Sequence, residues 1–461
     1  MSFDLNGIMS VGKIYDLFRV FSLMLLIFCM GACADPHGLD FNIEDERDKV
    51  TSQPDRVVSE EDRKVCILYS MGFNSLSSFL SDDINDLKKG WLPGDRRVDD
   101  VLLVYSHLPH SRGKFSTRTS PVLMRIYEGR DGSVMTDTLA VYPKDTASTS
   151  AMQFSEVLGF VRDEFPAKGY GLIVSSHATG WLPAGYYANA EKYESGELKS
   201  AAHRFSVRPY QNAVPYVEPV FDPSLPLTKS IGQDVYYIGE ERFSFEMSLP
   251  DFADAIPMHL DYILFDACLM GGIEVAYQLK DVCSVVGFSQ AEVLAEGFDY
   301  TSLTSHLLLP DDPQPENVCK DYFKYYEAQS GIEQSATISI VDCNRLDPLA
   351  EICLVLFEKY SDKIASLLPK NVQRYYRDNY HWFYDLESIL VEAGINEQEH
   401  ASLREALDET IIYKAATKSF MGDFDINTFS GFSMLLPSHA GDYIRNYYKR
   451  LEWNKDTGLV R

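Results

Sequence analysis

The chain has 461 residues, 45% of them hydrophobic and 13% aromatic, with a formal net charge of −26. That hydrophobic share excludes a disordered chain and is ample for one large core or two smaller ones. The acidic balance excludes a nucleic-acid binder, which needs a basic footprint for phosphate, and reads as a solvated acidic surface compatible with basic substrates.

At the N-terminus, Lys13 and Arg19 precede an apolar run from Val20 to Met30. The run is too short to span a bilayer and fits a secretory signal peptide. It closes on Met30-Gly31-Ala32-Cys33, small residues directly before a cysteine. This resembles the lipobox of bacterial lipoproteins, whose cysteine is lipidated and becomes the first mature residue. Residues 1–32 are therefore read as a lipoprotein signal, with Cys33 as the lipidation site. Acyl chains on Cys33 would anchor the protein to a bacterial membrane, the outer membrane by preference, without a transmembrane helix. A signal cleaved by the general signal peptidase is the alternative. Residues 33–63 are polar and acidic and read as a flexible spacer, and residues 64–461 as the folded domain.

Val65–Tyr69 reads as the first strand, followed by a Gly-Phe-Asn-Ser turn region. The continuous apolar run Val101–Tyr105 predicts a central parallel strand. Val122–Tyr127 and Thr138–Tyr142 flank Gly129-Arg130-Asp131-Gly132 and predict a hairpin. Ser148–Phe165 has helical spacing, and Gly171–Ser175 is another buried strand. A long interruption then runs from about residue 178 to 247, rich in Tyr, Pro, Glu and Lys. A loop of that length in a compact domain is usually functional or processed. Leu249–Ile256 reads as a helix leading into the Leu260 strand. Beyond it come a strand at Ser284–Phe288, a helix at Pro315–Ala328, a strand at Ala336–Val341 and a helix to about Leu367. Residues 371–415 read as helical throughout, with a final strand at Gly431–Leu436 and a final helix at Asp442–Leu451. Strands alternating with helices predict a mainly parallel sheet covered on both faces.

The chemistry concentrates in Leu260–Asp281, LDYILFDACLMGGIEVAYQLKD. Its apolar block Tyr262–Phe265 ends abruptly at Asp266-Ala267-Cys268, and helical spacing opens after Gly271-Gly272. Cys268 thus sits where a strand ends and a helix begins, the place where α/β sheets put reactive groups. Unpaired N–H groups there stabilise a thiolate. A nucleophilic thiol needs a base, and His177 in LIVSSHATGW is the best candidate. It too ends an apolar strand. If the two strands are parallel neighbours, both side chains emerge at one sheet edge. Cys66, Cys283, Cys319, Cys343 and Cys353 are scattered in apolar runs and form neither a disulfide framework nor a metal spacing. His107 and His110 have an H-x-x-H spacing, but in a loop with Pro109 between them.

These residues carry a resemblance to the clostripain-like cysteine peptidases, relatives of caspases, gingipains and legumains. YILFDACLMGGIEVAYQLKD is similar to the cysteine segment of that family, and YGLIVSSHATGWLP to its histidine segment. KVCILYSMGFNSL, DTLAVYPKDTASTSAMQFSEVLGFV and SGFSMLLP extend the likeness over roughly residues 64–453. The resemblance implies a caspase-like α/β/α sandwich and a thiol peptidase working as a His–Cys dyad. Cys268 would attack the scissile carbonyl and His177 would protonate the leaving amine. The N–H groups of Ala178 and Cys268 would form the oxyanion hole. Asp266 would lie in the specificity pocket and pair with an Arg or Lys side chain, or else cap the strand end; both roles are compatible. Ser289 and Gln290 occupy positions where relatives build a pocket wall, or form an ordinary polar strand end. Trp181 either lines the cleft or packs beneath the histidine loop, while Glu274 reads as structural. Ala178 departs from the family, which usually has glycine after the histidine. Alanine keeps the donor but adds a methyl group near the substrate backbone.

The expected activity is that of a secreted, lipid-anchored cysteine endopeptidase acting on peptides after Arg or Lys. Relatives are often activated by cleavage between the histidine and the cysteine. Here that region holds Lys192, Lys199, Arg204, Arg208 and Lys229. No cofactor is required, although calcium assists some relatives and no loop has EF-hand spacing. The competing reading is a catalytically silent surface lipoprotein that binds a peptide, glycan or host protein through the same cleft.

Overall fold

A computed structural model of the chain describes residues 62–461, apart from 112–114, 199–212, 218–227, 230–231 and 378–380. The signal, Cys33 and nearly all of the spacer lie outside the described residues.

The first half contributes β1 (Lys64–Met71), α1 (Ser77–Leu87), β2 (Val101–His107), β3 (Val122–Glu128), β4 (Val134–Val141), α2 (Ala151–Glu164) and β5 (Gly169–Ser175). The insertion carries α3 (Tyr186–Glu194), β6 (Ala213–Pro215), β7 (Thr228–Lys229), β8 (Asp234–Ile238) and β9 (Glu241–Phe245). Then come α4 (Leu249–Asp254), β10 (Leu260–Asp266), α5 (Ile273–Leu279), β11 (Cys283–Phe288), β12 (Val293–Leu294), α6 (Tyr300–Leu307) and α7 (Pro315–Glu327). The C-terminal part adds β13 (Thr337–Asp342), α8 (Leu346–Ile364), β14 (Tyr384–Asp385), α9 (Leu386–Glu392), α10 (Glu397–Thr410) and β15 (Ile411–Ala416). It closes with β16 (Ser419–Phe420), β17 (Phe424–Asp425), β18 (Ser433–Met434), α11 (Asp442–Tyr448) and α12 (Glu452–Thr457).

Among the described residues the main sheet has nine strands, in the order β15-β13-β11-β10-β5-β1-β2-β3-β4. Its five central strands, β11 to β2, run parallel, while both edges are antiparallel. The parallel strands are largely apolar because helices cover both faces. In β1 and β2 every residue is buried, and in β10 all but one. The α/β architecture is therefore as expected, with the parallel portion confined to the middle. β13 turns antiparallel and brings β15 with it.

Three expectations are corrected. The interruption at 178–247 is not simply a loop: β6, β9 and β8 form a three-stranded sheet within it. Val235, Tyr236, Phe243 and Phe245 of that sheet pack on Phe73 and Phe115 as a second small core. Residues 371–415 are not continuously helical. Tyr375 N–H donates to Phe383 O at 2.9 Å, so the chain on either side of residues 378–380 runs side by side and is not helical. Tyr375, Tyr376, Trp382, Phe383 and Tyr384 are all buried, which mimics a helical apolar stripe. The run Ile411-Ile412 is β-branched and joins the sheet edge as β15. Finally, Gly431–Leu436 yields only the two-residue strand β18, paired with β14 outside the main sheet. The turn region after β1 leads straight into α1, whose Leu80, Ile84 and Leu87 are buried at helical spacing. Among the described residues no helix is long and apolar enough to cross a membrane.

Candidate active site

β5 and β10 are hydrogen-bonded parallel neighbours, with Ser175 opposite Asp266. His177 and Cys268 each lie two residues past that pair, so both stand at the carboxyl edge of the sheet centre. His177 is 4% exposed and Cys268 is 0% exposed.

The two loops interlock through their backbones. Gly180 holds φ of +60°, and a Cβ there would stand 2.5 Å from the carbonyl oxygen of Leu269. Only glycine meets both demands. Leu269, directly after Cys268, holds φ of +60° although it carries a β-carbon. Such strain persists only where surroundings over-determine it. Here Leu269 N–H donates to Ala291 O at 2.8 Å, and Gly271 N–H to Ser289 O at 2.7 Å. The cysteine loop is thus clamped to the chain that follows β11.

That chain also covers the thiol. Val293 N–H donates to Cys268 Sγ at 3.0 Å, and the thiol reaches Val293 O at 3.7 Å. Val293 begins β12, which pairs antiparallel with β7 of the insertion, Val293 opposite Lys229. Cys268 therefore lies beneath a two-stranded ribbon, one strand of which comes from the insertion.

On the histidine side, His177 Nε2 meets Ser75 Oγ at 2.9 Å. Ser176 Oγ donates to Met71 O at 2.9 Å, which ties the histidine loop to the end of β1. An apolar cavity of about 40 Å³ adjoins His177 and Ala178, walled by Met71, Phe154, Gly232 and Met270.

The remaining predicted residues fall into two groups. Asp266 is fully buried on β10 and accepts from Tyr300 OH at 2.8 Å, with Ser175 Oγ at 3.5 Å. Burial first, then the Asp266 charge, raise the Tyr300 phenol, so it stays protonated as a donor. Ala178 is buried immediately beside His177. The others are built into the framework. Ser289 Oγ meets Thr337 Oγ1 at 2.8 Å, and Gln290 Nε2 donates to Ser339 Oγ at 3.0 Å and Gly431 O at 2.8 Å. These three bonds brace β13 and the β18 approach, and both residues are fully buried. Trp181 is 0% exposed and packs edge-on against Tyr448 at 5.0 Å, beneath the histidine loop. Glu274 accepts from Tyr448 OH at 2.7 Å and Leu435 N–H at 2.9 Å, and burial pushes its carboxyl up to about 7.

Sequence reasoning missed Ser75, Val293 and Asp234. The buried Asp234 carboxylate accepts from Ser148 Oγ at 2.7 Å and Thr149 N–H at 3.3 Å, and lies 3.4 Å from His107 Nδ1. His107 is thus part of a buried polar cluster, whereas His110 is exposed. Ser75 was discoverable, because the turn after β1 opens on the same sheet edge as His177. Val293 acts through its backbone and leaves no mark in the sequence. Among the described residues no group of three or more His, Cys, Asp or Glu side chains is placed to hold a metal ion.

A caspase-like α/β sheet carrying a histidine and a cysteine on adjacent strand ends defines the class as cysteine peptidase. A model of the clostripain family matches residues 222–459, just over half of the chain. The chain belongs to the clostripain family. Cys268 lies inside that match, and His177 upstream of it. Among solved structures, an inactive zymogen C11 protease from Parabacteroides distasonis is similar at TM-score 0.66 and 24% identity, over 87% of this chain and 99% of that one. A secreted C11 cysteine protease from Bacteroides thetaiotaomicron is similar at TM-score 0.63 and 21% identity, over 86% and 99%. The same kind of protease in complex with an irreversible peptide inhibitor gives TM-score 0.62 and 22% identity, over 86% and 99%. These likenesses establish the fold. No curated protein matches the chain.

Proposed function

We propose that this cysteine peptidase is a secreted, lipid-anchored endopeptidase that cuts after Arg or Lys and is held latent until its insertion is cleaved. The carrying observation is the β5–β10 register, whose last pair, Ser175 opposite Asp266, lies two residues before His177 and Cys268. The Cys268 thiolate attacks the scissile carbonyl carbon, and the oxyanion forms opposite the N–H groups of Ala178 and Cys268. His177 gives its proton to the leaving amine. The resulting thioester is hydrolysed by water, with His177 taking the proton back. Asp266, two residues before Cys268, supplies a carboxylate for a basic substrate side chain. Its link to Tyr300 positions it until a substrate cation competes.

Latency rests on the ribbon over the thiol. A substrate carbonyl cannot approach Sγ while Val293 occupies it. Cutting the insertion near Lys229 frees β7 from β12 and releases that cover. One of the similar structures is of an inactive zymogen, which accords with this reading. Short Arg and Lys reporter peptides test the specificity. The processed protein is expected to hydrolyse them, and Cys268→Ala to be inert and to stay uncut. Absence of turnover on every such peptide, or cleavage of the insertion in Cys268→Ala expressed alone, would overturn the reading.

For the anchor, Cys33→Ser is expected to move the protein from the membrane fraction to the soluble fraction and abolish acyl labelling. Unchanged fractionation would remove the lipid from the account.

A further inference from the structure

We infer that Ser75 is the positioning residue of the reactive histidine: its hydroxyl holds Nε2 and makes Nδ1 the nitrogen that gives and takes the proton. The inference rests on the dyad reading above. The contact is His177 Nε2 to Ser75 Oγ at 2.9 Å, between residues 102 positions apart.

Ser75 is held by its neighbours. Asn74 is fully buried, and its Nδ2 donates to Met71 O at 2.8 Å and Gln233 O at 2.7 Å. Its Oδ1 accepts from Leu76 N–H at 2.9 Å, on the far side of Ser75. The turn is therefore pinned to β1, to the insertion and to the start of α1. A hydroxyl on so fixed a turn costs little entropy to present.

The chemistry follows from the two ring nitrogens being distinct. A histidine that first donates and then accepts a proton must return to one tautomer each cycle. Ser75 Oγ accepts from Nε2–H in both the imidazolium and the neutral ring. The neutral ring then keeps its proton on Nε2, and Nδ1 alone cycles. Without the acceptor, the imidazolium loses a hydrogen bond to its charged form, and its pKa falls.

The test uses full-length protein after processing, with rates expressed per thiol labelled by a peptidyl acyloxymethyl ketone. Ser75→Ala is expected to lower kcat roughly three- to ten-fold, the size of one lost hydrogen bond, with little change in KM. Its alkaline limb in kcat/KM is expected to move to lower pH. Ser75→Thr, which keeps an Oγ, is expected to restore both. Wild-type kcat and an unmoved limb in Ser75→Ala overturn the inference. Equal losses in Ser75→Ala and Ser75→Thr also overturn it, because they mark a packing role. His177→Ala and Cys268→Ala, with their insertions cut by an added protease and rates expressed per mole of protein, separate the two failures. If these remain active the dyad itself is wrong, and if they are inert while Ser75→Ala is normal, only the role of Ser75 falls.

Discussion

Glu274 lies in the first turn of α5, six residues past Cys268, with its carboxyl sealed from solvent between Tyr448 and the Leu435 backbone. Burial raises its pKa to about 7, against an ordinary value of 4.5. The sign of the stability effect follows. Below the ordinary value both folded and unfolded chains carry the proton, and nothing is lost. As pH rises from there to about 7, the unfolded chain ionises first and the folded state loses up to about 3 kcal/mol. Glu274→Gln keeps an acceptor for both donors and removes the titration. Its Tm is expected to match wild type near pH 4.5 and to exceed it at pH 8, as read by thermal melts. A difference that does not vary with pH would show that Glu274 is ionised in the fold. This residue read as structural from sequence, because it follows the cysteine helix start. Its neutral character could not be read there, since Tyr448 and Leu435 are distant in the chain.

At the scale of elements, the β6–β9–β8 sheet is fixed to the body largely through Asp234. The start of β8 places this carboxylate against Ser148 and Thr149, just before α2, and against His107 at the end of β2. Asp234→Ala leaves several buried donors without an acceptor, a loss of about 3 kcal/mol. Limited proteolysis is expected to cut the insertion of this variant faster, and Tm to fall. Asp234→Asn, which keeps one acceptor oxygen, is expected to fall less. Unchanged proteolysis would mean that the Phe73 and Phe115 contacts hold the insertion alone. The sequence showed the parallel strands clearly, because buried strands are apolar throughout and end at polar residues. It showed the cysteine and histidine loops for the same reason. It did not show the insertion sheet, whose strands are short, with a proline-rich stretch between β6 and β8. Nor did it show the pairing of Tyr375 with Phe383, where burial of successive rings imitates a helical stripe.

For the whole molecule, the order of the sheet decides what cleavage does. β1 to β5 precede the insertion and β10 to β15 follow it, yet β5 and β10 share a register of five residue pairs. A chain cut near Lys229 is therefore expected to stay together through the common core. Size exclusion should show one species of full mass, and denaturing electrophoresis two fragments. Separation of the fragments without denaturant would contradict the shared sheet.

The same neighbouring strands put His177 and Cys268 on opposite sides of any cut in the insertion. On the proposed dyad, a cleaved protein would carry its base on one polypeptide and its nucleophile on the other. Catalysis would then belong to the contact between two chains, and neither chain would have it alone. The uncut form loses and regains its structure at a rate independent of its concentration. The cut form, once its halves are parted, can recover activity only as fast as they find each other. Unfolding followed by dilution, which the uncut chain is expected to survive, is therefore expected to leave the cut form slow to recover its activity.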